Sequence, residues 1–144
     1  MLQYKPKYFA AHELVPPQMF AERGEKALHL LNPKVLELAD LLRETYGPAF
    51  INTYGLGDSV IEVYKLREWC GIRTPESRWF RPYSQHTFGN ALDMIFRDVT
   101  ADQVRNDIIN GGAELPHSVV IEKDVSWLHI ACANYENKIT IVGK

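Results

Sequence analysis

The stretch Ser84-Gln85-His86-Thr87-Phe88-Gly89-Asn90-Ala91-Leu92-Asp93 decides how this chain is read. It places a histidine and an aspartate around a glycine. On one helix His86 and Asp93 would share a face but sit ~10 Å apart along the axis. On one straight strand they would be ~23 Å apart and on opposite faces. Zinc holds nitrogen and oxygen ligands at ~2 Å, so a shared ion requires a bend, and Gly89 is a natural place for one. The apolar run 91–96 after it reads as a strand. Asp93 lies between Leu92 and Met94 in that run. A carboxylate there is costly unless it is paired or bound to metal.

A second segment, Val119-Val120-Ile121-Glu122-Lys123-Asp124-Val125-Ser126-Trp127-Leu128-His129, supplies the partner. Two apolar runs, 118–122 and 127–132, flank a charged linker and read as a hairpin. A four-residue loop would set Glu122 opposite Trp127. His129 shares the face of Trp127, because side chains two apart on a strand point the same way, and so lies near Glu122. A carboxylate beside a zinc ligand is what activation of a zinc water needs. His12, His29 and His117 are expected to be ordinary structural histidines, with His117 the nearest of the three to the site.

Outward from these segments, Asn32-Pro33 starts a helix over 33–46, with Asn as cap and Pro in the first turn. Val35, Leu38, Leu41 and Leu42 form its apolar stripe, and Gly47-Pro48 stops it. Residues 49–54 read as a short strand, 58–70 as a helix ending at Gly71, and 71–85 as an ordered loop. Thr100-Ala101-Asp102-Gln103 is a capping box opening a helix to about Asn110. A last strand is expected at 138–142, and 1–31 read as irregular. The order points to an α+β fold with a mostly antiparallel sheet, in one domain spanning 1–144.

Composition narrows the function. Net charge is −2, which provides no basic field for nucleic acid or an anionic membrane surface. No apolar run approaches the ~18 residues of a membrane span. The first residues, Met1 to Tyr8, lack the basic head and apolar core of a signal peptide, so synthesis in the cytoplasm is expected. Cys70 and Cys132 form no C-x-x-C pair and read as reduced, buried thiols. A two-histidine H-E-x-x-H helix is absent. Ser84 and His86, two residues apart, make a weak case for a metal-free hydrolase.

The pattern Ser84-x-His86-x-x-Gly89-x-Ala91-x-Asp93 followed by Trp127-x-His129 resembles the zinc D,D-peptidases. That family includes D-Ala-D-Ala carboxypeptidases and phage endolysins, and shares the hedgehog fold. The opening Tyr8-Phe9…Glu13-Leu14, the helix 33–46 and Phe50-Ile51-Asn52 are similar to its phage-type branch. The resemblance implies a hedgehog/D,D-peptidase-like fold and one zinc ion held by His86, Asp93 and His129. It implies Glu122 as the catalytic carboxylate, with Arg73 and Ser84 at the substrate. Trp127 is expected to wall the cleft, and Trp79, Phe80 and Tyr83 to line it. Many members carry the catalytic glutamate three residues before the last histidine. Here that position is Ser126, and the branches with a more distant glutamate favour Glu122.

The implied activity is hydrolysis of peptidoglycan stem peptides by a monomeric enzyme, either a carboxypeptidase or an endopeptidase. A chain without a signal peptide would reach the wall if released by a holin or carried by a virion. The alternative is an inactive zinc-holding module for cell-wall binding or virion structure.

Overall fold

The computed structural model describes residues 4–132, 134 and 136–143. It is an α+β fold with one five-stranded sheet in the order β1-β2-β4-β3-β5. The strands are β1 (Ala49–Phe50), β2 (Ala91–Phe96), β3 (Val119–Glu122), β4 (Leu128–Ala131) and β5 (Ile139–Val142). All neighbours are antiparallel except β3 and β5, which run parallel. The helices are α1 (Pro17–Arg23), α2 (Pro33–Tyr46), α3 (Asp58–Tyr64) and α4 (Ala101–Ile109).

The sheet has two distinct faces because side chains alternate along each strand. Leu92, Met94, Leu128, Ile130, Val119 and Ile121 are buried in the main core with Leu38, Leu42, Val104 and Ile108 of α2 and α4. The opposite face carries two rows. Ala91, Ala131 and Val120 form a small buried patch of their own. The next row contains Asp93 directly paired with His129, and the β3–β4 register extended by one step adds Glu122. Thus the core is on one side of β2 and β4, and the polar groups singled out in the sequence are on the other.

Helices α2 and α4 begin as their sequences dictate. Asn32 accepts a hydrogen bond from the Lys34 amide, with Pro33 in the first turn. Thr100 and Gln103 form the reciprocal capping box. The segment 1–31, read as irregular, contains α1 and two 3-10 stretches, Ala11–Glu13 and Gly24–Leu30. Its sequence conceals α1 because none of that helix's residues is buried, so no apolar stripe marks it.

Two further elements are shorter than expected. The helix read over 58–70 ends at Tyr64, where Lys65 turns to φ 68°. Thr53 Oγ donates to the Lys65 carbonyl and accepts from the Arg67 amide, pulling the chain out of the helix. Strand β1 stops at Phe50 because the Asn52 amide turns to the Glu13 carbonyl and Thr53 to Arg67. Among the described residues no helix is long and apolar enough to cross a membrane.

Candidate metal centre

Three separate pieces of chain build the centre. Strand β2 supplies Asp93 and β4 supplies His129 from the facing position. The turn-rich loop before β2 supplies His86. Ser84 Oγ accepts from the His86 amide at 3.2 Å, which fixes the turn at the histidine's own backbone. Gly89 then makes the bend, with φ +72°. A Cβ there would collide with the Leu30 carbonyl, so glycine is required by both conformation and space.

The chain at 70–73 runs between β2 and this loop and joins them. The Asp93 amide donates to the Cys70 carbonyl at 2.7 Å, and the Arg73 amide donates to the His86 carbonyl at 3.3 Å. His86 Nδ1 lies 2.8 Å from the Gly71 carbonyl oxygen. Nδ1 therefore carries the hydrogen, and Nε2 keeps its lone pair for a ligand. Gly71 is itself packed against the Leu14 carbonyl, leaving no room for a side chain. The N-terminal segment is thus the back wall on which the histidine loop rests.

His86, Asp93 and His129 each offer one ligand atom, and these atoms lie within 4.8 Å of one another. Asp93 Oδ1 is 3.3 Å from His86 Nε2 and 2.9 Å from His129 Nδ1. Its other oxygen, Oδ2, accepts from Arg73 at 2.8 Å. The two imidazole rings stand edge to face, with centroids 5.1 Å apart. Burial pushes the Asp93 carboxyl upward, but the charge and hydrogen bonds of His86 and His129 outweigh it and hold Asp93 well below the usual carboxylate range.

This group can hold a metal ion. The donor set fits: two imidazole nitrogens and one ionised carboxylate oxygen converge on one point. Two of the three have a fixing partner behind them, Arg73 for Asp93 and the Gly71 carbonyl for His86. An ion held by these three donors would keep a further coordination position open to water.

Glu122 lies on the same side. Its Oε2 is 4.0 Å from His129 Nδ1, and the side chain is only partly buried. The expected pairing of Glu122 with Trp127 is shifted by two residues, since Ile121 pairs with Ile130. A shift of two preserves the face, so Glu122 still meets His129.

The remaining residues are placed as follows. Arg73, expected at the substrate, has Nε donating to the Trp69 carbonyl and Nη2 to Asp93, so it orients a ligand of the centre. It also borders a groove with Ile72, Phe80 and Phe88. Trp127 is half-buried just before β4, while Trp79 and Tyr83 are exposed on the loop ahead of β2. His117 pairs with Glu37 at 2.6 Å, and His12 packs edge-on to Phe20 and Tyr54. Both cysteines are free thiols; Cys132 is buried as expected, but Cys70 is only half-buried.

Sequence reasoning missed Gly71 and Arg105. Arg105 is 4% exposed on α4. A signal for it existed: Ala101, Val104, Arg105 and Ile108 fall on one helical stripe, so the arginine faces inward. Gly71 left no such signal, because its role depends on how close Leu14 comes in the fold. Comparisons with protein-family models, with curated proteins and with solved structures found no match to this chain.

Proposed function

We propose that this chain is a zinc-dependent peptidase that hydrolyses peptide bonds in peptidoglycan stem peptides. The observation that carries the reading is the row Asp93–His129–Glu122 with His86 beside it: a three-ligand group with a carboxylate 4.0 Å from one ligand nitrogen. A structural metal site needs no such extra carboxylate, whereas hydrolysis does. The choice of peptidoglycan over other peptides rests on the resemblance of the two histidine motifs to zinc D,D-peptidases.

When bound, zinc supplies Lewis acidity toward the scissile carbonyl and a water of lowered pKa. Glu122 accepts a proton from the attacking water and returns it to the leaving amine nitrogen as the C–N bond breaks. Arg73 steadies Asp93 through Nη2, and Nη1 is the donor we assign to a substrate carboxylate. Ser84 holds the His86 turn at the border of the pocket. Trp127 walls the cleft, and Trp79, Phe80 and Tyr83 line its approach.

Mass analysis of muropeptides after incubation with the zinc-loaded protein tests this reading. Loss of a terminal D-alanine indicates a carboxypeptidase, and conversion of cross-linked to monomeric muropeptides indicates an endopeptidase. Unchanged muropeptides with zinc fully bound would replace the peptidase reading with that of a zinc-holding wall-binding or virion module.

A further inference from the structure

The buried arginine of α4 is bonded to the turn that presents Glu122. Arg105 Nε donates to the Glu122 carbonyl at 3.1 Å. Its Nη2 donates to the Val125 carbonyl at 3.0 Å and to the Trp127 carbonyl at 2.8 Å. Nη1 pairs with Asp102, one turn earlier on the same helix, whose carboxylate is exposed. Three carbonyls of one turn therefore converge on a single planar group. The guanidinium presents its donors in a fixed fork, so it sets the relative directions of those carbonyls as well as their distance.

The turn needs such a clamp. It lies between β3 and β4 and contains Asp124 at φ 65°, a left-handed conformation that few non-glycine residues adopt. The metal ligands do not depend on it: His129 is fixed to Asp93 by the β2–β4 ladder, and His86 by Gly71. Glu122 is at the last residue of β3, where ladder pairing ends. Arg105 touches no ligand of the centre, yet holds the backbone of the carboxylate beside it.

We propose that Arg105 is a positioning residue for Glu122: it locks the β3–β4 turn so that the Glu122 carboxylate stays over the metal centre. The proposal rests on the peptidase reading for its effect on rate, but its effect on the turn does not. Lysine at this position keeps the charge and loses the fork, since one ammonium replaces three nitrogens at separate points.

The test is a double-mutant cycle with zinc-loaded full chain and a purified muropeptide, with Arg105→Lys made in the wild type and in Glu122→Gln. Zinc content and amide hydrogen exchange are measured on the same samples. The expected result is a loss of ~10–100-fold in kcat for Arg105→Lys with KM and zinc content near wild type, as for other residues behind a site. On the Glu122→Gln background the same change should cost little more, because its effect passes through Glu122. The Lys123 amide, which donates to the Val142 carbonyl at the mouth of the turn, should exchange faster while those of β2 are unchanged. An equal loss in both backgrounds, or zinc loss in parallel with rate, makes Arg105 merely structural and overturns the proposal. If the wild type cleaves no muropeptide, the peptidase reading falls, and the exchange data alone decide: unchanged protection of the Lys123 amide overturns the clamp on the turn, and selective loss upholds it. Should Arg105→Lys fail to fold, Asp102→Asn at the exposed end of the pair gives the same pattern in weaker form, or overturns the proposal by leaving both kcat and exchange unchanged.

Discussion

Glu122 and His129 face each other across the β3–β4 ladder, with Oε2 4.0 Å from Nδ1, while Asp93 meets the same Nδ1 at 2.9 Å from the other side. His129 is thus flanked by two carboxylates of different exposure. The buried one is fixed by Arg73, and the more open one is the base of the proposed mechanism.

Replacing the open one separates chemistry from metal binding. Glu122→Gln should retain zinc and fold while muropeptide cleavage falls ~10²–10⁴-fold, the usual cost of losing a general base. Asp124→Asn is the control, since Asp124 is exposed in the turn. Normal cleavage by Glu122→Gln together with an inactive Asp124→Asn would move the base to Asp124.

Metal analysis should find one zinc per chain, and His86→Ala should lose it. Because binding at this centre is linked to folding, chelation should lower the melting temperature. A ligand present at a hundred times its dissociation constant adds ~2.7 kcal/mol of stability, which sets the scale of the shift. Equal melting temperatures with and without chelator would argue against zinc at this centre.

Arg73→Ala removes the only charge drawn onto Asp93 Oδ2 by a hydrogen bond among the described residues, at 2.8 Å. Zinc affinity should fall ~10–100-fold, as is typical when the support behind a ligand is lost. This departs from the sequence-based expectation that Arg73 acts on substrate more than on the fold and that its loss leaves zinc content near wild type. Competition with a zinc chelator measures it, and an unchanged affinity with reduced turnover would restore the substrate role.

Burial pushes the thiols up, Cys70 to about 11 and Cys132 to about 12. In the folded chain both should resist alkylation at pH 8 and react once denaturant is added. Each raised value means that the folded state holds the thiol proton more tightly than the unfolded state. This contribution to stability is complete below the ordinary value of 9.0 and is lost as pH rises toward 11 and 12. Denaturant titrations between pH 8 and 11 on a Cys132→Ala background should show a shallower decline than wild type.

Much of this was legible in the sequence where local chemistry governs. Helix α2 runs from Pro33 to Tyr46 as read, because Asn32 caps it and Gly47 at φ 93° ends it. Strand β2 matches its expected bounds, and the triad converges as the bend at Gly89 required. What escaped depends on distant partners. Helix α3 is cut short by Thr53, and the pairing of β5 alongside β3 has no local marker. Glu122 reached the right face through the wrong loop length, since a two-residue slip is silent where a one-residue slip is not.

The pairing of Asp93 with His129 joins residues 36 positions apart in the chain. Until β4 docks on β2, a folding chain owns at most His86 and Asp93, and two ligands grip an ion far less than three. Capture of a metal ion by this group would therefore be tied to the slowest class of contact in such a fold, the closing of a long-range strand pair. Metal supply would then govern the yield of finished molecules rather than the speed of early collapse. Cells starved of the ion should accumulate a species with its helices formed and its central ladder still exchanging.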